Sequence, residues 1–352
     1  MMAISYYINI LSCIVEFFLA IILCLGTFFI GFKLSYYLLK DMDNKLELKN
    51  NNIALAILEI SYIIVFSIFI MVTITPTMKL IFGKHYNSYN SINVLILAIL
   101  KTVIFYVISI SLSFLIIFCS TKFLLMLSGI IDESKEVKKG NISVSLILSS
   151  FMLTITYTLV SPFRLLIDSF FPPVEELKFG LQSHFINISL FLESILKIGI
   201  LIVSLIYIFF ISFFILNKIM KGTKVDKEIR KDNVSVTIIV SSLIFALMFI
   251  IKKLVIYLPD KIFLIEDLNM DTILLNMLFY FVVSFLILHI VIILNIFLVI
   301  NSFRFVYKDI NVIREIKLKK ISIGLIIGIM IIIFNFFIAD GILNFIKIIP
   351  FI

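Results

Sequence analysis

The sequence is poor in charged residues. Only 15% of its 352 residues are Asp, Glu, Lys or Arg, whereas 62% are hydrophobic, and the mean hydropathy is +1.20. Soluble domains carry about 25% charged residues, so this chain has too few charges to cover a surface exposed to water. The charges form short clusters between uncharged runs, and a helix needs about 20 apolar residues to cross a bilayer. These features exclude a soluble globular protein and indicate a multi-pass membrane protein.

Cysteine and catalytic motifs are scarce or missing. The three cysteines, Cys13, Cys24 and Cys119, lie in apolar segments without Cys-x-x-Cys spacing, so neither a disulfide framework nor a metal site is predicted. No basic residue precedes Lys33, so the positive region of a cleavable signal peptide is missing. His-Glu-x-x-His, Gly-x-Ser-x-Gly and glycine-rich phosphate loops are absent as well. We therefore predict no enzyme activity and no cofactor.

Proline is also rare, and its placement is regular. Four of the six prolines, Pro76, Pro162, Pro259 and Pro350, fall at the far ends of alternate apolar runs, and the other two are Pro172 and Pro173. A proline inside a helix removes a backbone hydrogen bond. We therefore predict that proline is kept out of the interiors of the membrane-spanning helices.

The net charge of +8 comes from 30 basic and 22 acidic residues. The basic residues lie in short loops between apolar runs, so membrane topology explains them better than nucleic-acid binding does. The expected partners are the lipid bilayer, anionic lipid headgroups or a membrane partner protein. The sequence is compatible with a homo-oligomer, and no nucleic acid is expected.

Charge boundaries predict eight transmembrane helices. The spans are residues 8–32, 53–78, 102–121, 142–163, 198–217, 233–251, 272–303 and 321–339. The odd-numbered loops hold four, four, six and six basic residues, 20 of the 30. The positive-inside rule places these loops in the cytoplasm and both termini outside. The expected fold is an all-α integral membrane protein of the cell (inner or plasma) membrane.

The four odd-numbered loops contain copies of one motif. The copies read ELKNNNIALAI from Glu47, EVKKGNISVSL from Glu136, EIRKDNVSVTI from Glu228 and EIKLKKISIGL from Glu315, with the glutamates 89, 92 and 87 residues apart. Each unit contains two spans, so successive units enter the membrane in the same direction. The sequence therefore predicts four tandem parallel two-helix repeats. We divide them into two membrane halves, residues 1–178 and 179–352.

The motif has the features of a helix start followed by a packing face. Asparagine before an apolar run is a favourable N-cap. Small residues then recur four positions apart, as Ser145 and Ser149, Thr237 and Ser241, and Gly324 and Gly328. That spacing favours a seam between helices over a pore lining. The first repeat departs from the pattern, because Ala56 is followed by Ile60.

The second copy, EVKKGNISVSLILSS, resembles the bacterial inner-membrane family known as domain of unknown function 350. Members of that family have helix hairpins with an acidic-then-lysine-glycine-asparagine loop. The matching positions are Asp132, Glu136, Lys139, Gly140 and Asn141 in the second copy, Asp43, Glu47 and Asn52 in the first, Glu228 and Asn233 in the third, and Glu315 in the fourth. The resemblance implies a doubled member with four hairpins, and the family name implies no activity.

Polar side chains within predicted spans are functional candidates, because a partner or a wet cavity must offset their cost in lipid. Glu59 lies ten residues beyond the last lysine of the first loop, about 15 Å along a helix, which predicts a position near mid-membrane. The candidate site consists of Glu59, His289, Asn295 and Asn335. Glu59 and His289 would relay protons or bind a cation between hairpins. A buried neutral pair and two unrelated residues are the alternatives.

A second charged set recurs on equivalent faces of the odd-numbered spans. Lys101 and Glu193 each lie 35 residues before a motif glutamate, and Glu16 and Lys197 each lie 31 residues before one. The set is expected at the outer interface, where structural ion pairs and snorkelling are favoured over a substrate vestibule.

Two main functions remain open, and an integral-membrane enzyme acting on lipid is a third and weakest interpretation because no acid–base or metal cluster is present. The leading interpretation is a transporter or channel-like protein for an ion or small solute, which rests on fold-level analogy and on the polar residues within the spans. The alternative is a non-catalytic membrane scaffold or subunit that binds anionic lipid or a partner protein through its basic cytoplasmic loops. The surroundings of Glu59 and His289, a hydrated cavity or packed side chains, distinguish the two.

Overall fold

The computed structural model describes residues 18, 21–22, 25–33, 36–37, 43–82, 92–128, 133–170, 188–220, 224–262, 270–308 and 310–348. The chain is almost entirely helical in these ranges. Beyond helical residues 25–33, the helices are α1 (Asn44–Lys49), α2 (Ile53–Phe82), α3 (Ile92–Ser128), α4 (Glu133–Lys138), α5 (Ile142–Phe170), α6 (Ile188–Ile219), α7 (Val225–Arg230), α8 (Val234–Ile262), α9 (Met270–Val306), α10 (Val312–Lys317) and α11 (Ile321–Ile348).

These helices fall into three groups. The linker helices α1, α4, α7 and α10 have six residues each and carry the motif glutamates. A central helix, α2, α5, α8 or α11, follows each linker helix, and a flanking helix, α3, α6 or α9, precedes each linker helix after the first. In the part of the chain that the structure describes, the seven central and flanking helices are long and apolar enough to cross a membrane. The protein is therefore an all-helical, multi-pass membrane protein.

The four central helices stand in a row in the order α2, α5, α8, α11, and each packs along the next. The flanking helices fill the grooves of this row. Helix α3 packs against α2 and α5, α6 against α5 and α8, and α9 against α8 and α11. Gly31, in the described part of the first predicted span, lies close to Ile63 of α2. Helices α5 and α8, in the middle of the row, are the most buried.

Small side chains form the contacts between central helices. The Ser149 hydroxyl donates to the Ile57 carbonyl of α2 at 3.4 Å, and the hydroxyls of Ser150 and Ser241 lie 2.8 Å apart between α5 and α8. Gly324 of α11 lies directly against Ser235 of α8. Helices in lipid gain no hydrophobic energy by associating, because lipid tails are as apolar as their side chains. Their association therefore depends on the close packing that small residues allow. The small residues therefore form packing seams.

Large apolar residues occupy the seam positions at the two ends of the row. Ile60 stands where later repeats have Ser149, Ser241 and Gly328, and it is 57% exposed. Ile329 stands where earlier repeats have Ser150 and Ser242, and it is 54% exposed. Within the described residues no central helix packs on either face. The departure at Ile60 thus marks an end of the row, where the helix meets lipid.

The prediction that proline is kept out of helix interiors was wrong for Pro76, Pro162 and Pro259, and Pro350 lies outside the described residues. Pro162 lies inside α5, which continues to Phe170, and Pro76 and Pro259 fall within the bounds of α2 and α8. A helix that unwinds in lipid leaves backbone groups without water to bond. A helix that continues through a proline loses fewer backbone hydrogen bonds than a helix that ends there. The helices are accordingly longer than the predicted spans.

Candidate functional site

Every linker helix ends in the same turn. In the second repeat, the Gly140 N–H donates to the Val137 carbonyl at 2.9 Å and the Asn141 N–H to the Glu136 carbonyl at 3.0 Å, which is a Schellman motif. Gly140 has a φ of +77°. The equivalent residues Asn51, Asp232 and Lys319 have φ values of 60°, 55° and 62°. Glycine, asparagine and aspartate tolerate this left-handed region best, which explains three of the four residues at the fifth motif position.

Replacing Gly140 with alanine should destabilise the protein by about 1 kcal/mol, because a left-handed φ is costly for a residue with a Cβ. No atom lies within 4 Å of the position that this Cβ would take, so the loss reports backbone conformation alone. Thermal unfolding in detergent measures it. Gly199 in α6 is equally open and has no positive φ, so Gly199→Ala should be neutral or stabilising. Equal losses in the two variants would contradict this explanation.

Asn141 joins three parts of the structure. Its Oδ1 accepts the Val144 N–H at 3.1 Å and so caps α5. Its Nδ2 donates to the Glu136 carboxylate at 3.0 Å. The same Nδ2 lies 3.3 Å from each of the carbonyl oxygens of Ile229 and Arg230, which belong to α7 of the next repeat. One side chain therefore starts a central helix, holds a motif glutamate and binds the neighbouring repeat.

Asn52 and Asn233 each cap a central helix and bond the motif glutamate within their own repeats, and each also reaches the next repeat. The Nδ2 of Asn52 donates to the Val137 carbonyl of α4 at 3.0 Å. The Nδ2 of Asn233 donates to the Ile316 carbonyl of α10 at 3.0 Å. We call Asn52, Asn141 and Asn233 the asparagine ladder, because together they connect the four linker helices in series.

The fourth repeat has Lys320 in place of the ladder asparagine. Its Nζ forms an ion pair with Glu315 at 2.7 Å. The neighbouring Lys319 reaches back to the third repeat, where its Nζ donates to the Lys231 carbonyl. In the described part of the chain no further linker helix follows α10, so the loss of asparagine coincides with the end of the row.

A linker helix is capped at its start where the residue before it has a side chain that can accept a backbone N–H. Asp43 accepts the N–H groups of Lys45 and Leu46 at 3.1 and 3.3 Å and so caps α1. Asn311 caps α10 in the same way through the Arg314 N–H. Asp132, at the same position in the second repeat, lies outside the described residues.

The motif glutamates of the linker helices are partly or fully buried, and each is held by a hydrogen bond or an ion pair. Partial burial raises the pKa of the Glu136 carboxyl, but hydrogen bonds from Lys139 and Asn141 and the positive charges of Lys139 and Arg230 outweigh it. The pKa of Glu136 therefore lies below its usual value, and the group stays ionised at neutral pH. Glu228 is only 5% exposed and accepts the Asn233 amide at 2.8 Å.

The basic residues of the same segments project outward. The side chains of Lys139, Lys231 and Lys320 are 69%, 66% and 57% exposed, and Lys49, Lys138 and Lys227 are exposed as well. Asparagine holds three of the motif glutamates, and Glu315 pairs with Lys320. Since basic residues outnumber acidic ones in the described linker segments, this face of the protein presents net positive charge. We call it the linker face.

Glu59 lies near the start of α2 and contacts a linker helix. It is the seventh residue of α2, about 9 Å along the helix from its start, and its Oε1 accepts the Asn44 Nδ2 of α1 at 2.8 Å. The chain turns through residues 50–52 before α2 begins. Both side chains are buried. No sequence spacing had indicated Asn44 as a partner.

His289 has a different partner and location. It is exposed on α9, and its Nδ1 lies 3.0 Å from the Tyr207 hydroxyl of α6. Glu59 belongs to α2, at the opposite end of the row from α9 and α11. The structure thus brings His289 to Tyr207 and Glu59 to Asn44, rather than placing the two predicted residues around one cavity.

Asn295 and Asn335 do come together. Their Nδ2 atoms lie 3.4 and 2.8 Å from the same carbonyl oxygen, that of Ile331 in α11. Both side chains are buried. Within the described residues their Oδ1 atoms have no hydrogen-bond partner. The pair connects α9 to α11 inside the helix packing.

The outer charged set is only partly described. Glu193 and Lys197 form an ion pair on α6 with a distance of 2.5 Å, and both side chains are largely buried. Glu16 lies outside the described residues, and so does the side chain of Lys101. Among the residues that the structure describes, no three His, Cys, Asp or Glu side chains form a group that could hold a metal ion.

Tandem helical hairpins, packed in a row and joined on one side by asparagine-capped turns, define a repeat-built, multi-pass helical membrane protein. A family model described as Domain of Unknown Function (DUF350) matches residues 5–161 and 189–342. The chain therefore belongs to the DUF350 family and contains the family's region twice, which confirms the predicted resemblance. Comparison with curated proteins and with solved structures gave no match.

Proposed function

We propose that the protein is a non-catalytic membrane scaffold whose linker face binds anionic lipid headgroups on the cytoplasmic side of the cell membrane. The single observation that carries the proposal is the net positive charge that the four linker segments expose. Asparagines donate to three of the four motif glutamates. The lysines of the same segments are exposed, including Lys139 and Lys231, which pair with two of these glutamates at the surface. The positive-inside rule assigns this face to the cytoplasm.

The spacing of the basic residues supports this function. A lysine or arginine near an anionic leaflet contributes about 1 kcal/mol. The linker helices repeat an exposed basic residue at one equivalent position along the row, as Lys49, Lys138, Arg230 and Lys317. A row of fixed linker helices holds these charges in a line without further ordering cost, which favours binding to a flat anionic surface.

Packing inside the row favours a scaffold over a transporter. The seams between central helices are closed by small side chains and by hydroxyl contacts such as Ser150 with Ser241. Two cavities in the part of the chain that the structure describes, of about 470 and 40 Å³, are lined almost entirely by apolar side chains. An ion or polar solute needs polar groups along its path, and these surfaces offer few.

Lipid selectivity tests the proposal. Spin-labelled phosphatidylglycerol and phosphatidylcholine are compared for their association with the reconstituted protein. The wild type should prefer the anionic lipid, and the preference should weaken at high salt. The triple variant Lys49→Gln, Lys138→Gln, Lys227→Gln should lose about fivefold or more of the preference. The matched variant with arginine at these positions should retain it. Equal association of both lipids with the wild type would refute the proposal.

A second candidate function is transport of an ion or small solute, which the buried Glu59–Asn44 pair favours. A carboxyl group inside a span is costly and is often retained for function. If the protein transports, Glu59→Gln should abolish flux into proteoliposomes while leaving the protein folded. Flux that persists at the wild-type rate in this variant would remove Glu59 from the mechanism.

A further inference from the structure

An apolar groove opens between the flanking helices α3 and α6, with α5 beneath it. Its volume is about 470 Å³. The residues that matter here are Leu112, Leu115 and Cys119 on α3, Phe151 on α5 and Ile202 on α6, with Lys122 at one end. Leu115 and Ile202 are 53% and 46% exposed. The groove therefore opens toward the surroundings of the helices, where lipid chains lie.

The register of the repeats explains why this groove is open. Tyr207 lies 21 residues before its motif glutamate, and His289 lies 26 residues before the next one. These two side chains bridge α6 to α9. Counting back by the same intervals from Glu136 and Glu228 reaches Leu115 and Ile202. The pair that would bridge α3 to α6 is thus aliphatic, and the space between these helices stays unfilled.

The dimensions and charge of the groove indicate its occupant. From Leu112 to Lys122 the helix rises about 15 Å, half of a hydrocarbon core of about 30 Å. Lys122 lies toward the linker-face end of α3, with its Nζ 5.7 Å from the centre of the Phe118 ring. An apolar surface that ends in a cation at leaflet depth complements an anionic lipid.

We propose that this groove binds one acyl chain of an anionic phospholipid from the leaflet on the linker side, with the lipid phosphate at Lys122. The apolar walls exclude water and accept the chain, and Lys122 selects the headgroup. This site is separate from the linker face, because the linker helices contact headgroups and do not line the groove. A lipid held here fills the gap between α3 and α6. The equivalent gap between α6 and α9 is closed by the Tyr207–His289 pair.

Photo-crosslinking tests the site. The protein is equilibrated with phosphatidylglycerol that carries a diazirine on one acyl chain, purified in detergent to remove exchangeable lipid, irradiated, and mapped by mass spectrometry. Labelling is expected on the groove segments 112–122 and 201–206. The exposed face of α9 around Ile293 and Phe297 is the control for annular lipid. Equal labelling of groove and control would overturn the proposal.

Three variants sharpen the test, each checked for folding by its thermal unfolding. Leu115→Phe should lower lipid retention by filling the groove, and the double variant Leu115→Tyr, Ile202→His should do the same by building the missing bridge. Retention unchanged in both would overturn the proposal. Lys122→Gln should lower retention of phosphatidylglycerol about fivefold without affecting a diazirine phosphatidylcholine. Equal retention of both lipids by the wild type would overturn the headgroup assignment.

The test also separates this site from the linker face. The triple glutamine variant at Lys49, Lys138 and Lys227 should keep the groove lipid, because none of these residues lines the groove. Loss of groove lipid in that variant would contradict the independence of the two sites.

Discussion

Alanine at Asn141 is expected to lower the free energy of unfolding by about 3 kcal/mol. The loss of an N-cap costs about 1 kcal/mol, and removing buried hydrogen bonds costs about 1–3 kcal/mol more. Asn141 supplies both, because it caps α5 and donates to Glu136 and to carbonyls of α7. Denaturant unfolding of the detergent-solubilised protein measures the change.

Two comparison variants separate the contributions at Asn141. Serine at this position keeps an oxygen that can cap the helix but cannot reach α7, so Asn141→Ser should lose about half as much stability as alanine does. Lys320 occupies the same position in the fourth repeat and makes only an exposed ion pair with Glu315, so Lys320→Ala should cost about 1 kcal/mol or less. If Asn141→Ala costs no more than Lys320→Ala, the ladder does not join the repeats.

Alanine at Gly324 is expected to be as damaging as the loss of a ladder asparagine. A Cβ at this position would lie 2.7 Å from the Ser235 Cα and 2.8 Å from its carbonyl oxygen. Backbone atoms cannot rotate away, so α8 and α11 must separate, and overpacking of this kind costs about 3 kcal/mol. Thermal and denaturant unfolding of Gly324→Ala measure the effect.

The same helix supplies graded controls for this prediction. A Cβ at Gly328 would lie 2.6 Å from the Ser242 hydroxyl oxygen and 3.0 Å from an Ile238 methyl carbon. Both are side-chain atoms that can shift, so Gly328→Ala should cost less than Gly324→Ala. Gly341 has nothing within 4 Å, so Gly341→Ala should be neutral or slightly stabilising. Any other order of the three variants would mean that α8 and α11 are not in backbone contact at Gly324.

The repeats were accessible from sequence because charge and motif recur together. Uncharged runs predicted the spans, and the four glutamate-led motifs predicted the equivalent hairpins and the family to which the chain belongs. The asparagines before the apolar runs predicted caps, since capping is a local property of three or four residues. The long helices that the structure describes occur where these features predicted them, and they are longer than the predicted spans.

Contacts between repeats were not accessible in the same way. A period reveals which residues are equivalent but not which faces of two helices meet, so the reach of Asn52 to Val137 could not be foreseen. The contact of Glu59 with Asn44 was not predicted, because the two residues lie on different helices on either side of the turn at residues 50–52. The partner of His289 was missed because Tyr207 lies 82 residues away, beyond the range of any local pattern.

The central helices form an open row, and distances between spin labels on the linker helices test this arrangement directly. Lys49, Lys138, Arg230 and Lys317 occupy equivalent positions on α1, α4, α7 and α10 and are exposed. Neighbouring helix axes lie about 8–10 Å apart, so label pairs 49–138, 49–230 and 49–317 should give three increasing distances in roughly equal steps. The native cysteines are replaced beforehand. A 49–317 distance as short as the 49–138 distance would mean that the central helices close into a ring, and the row would be wrong.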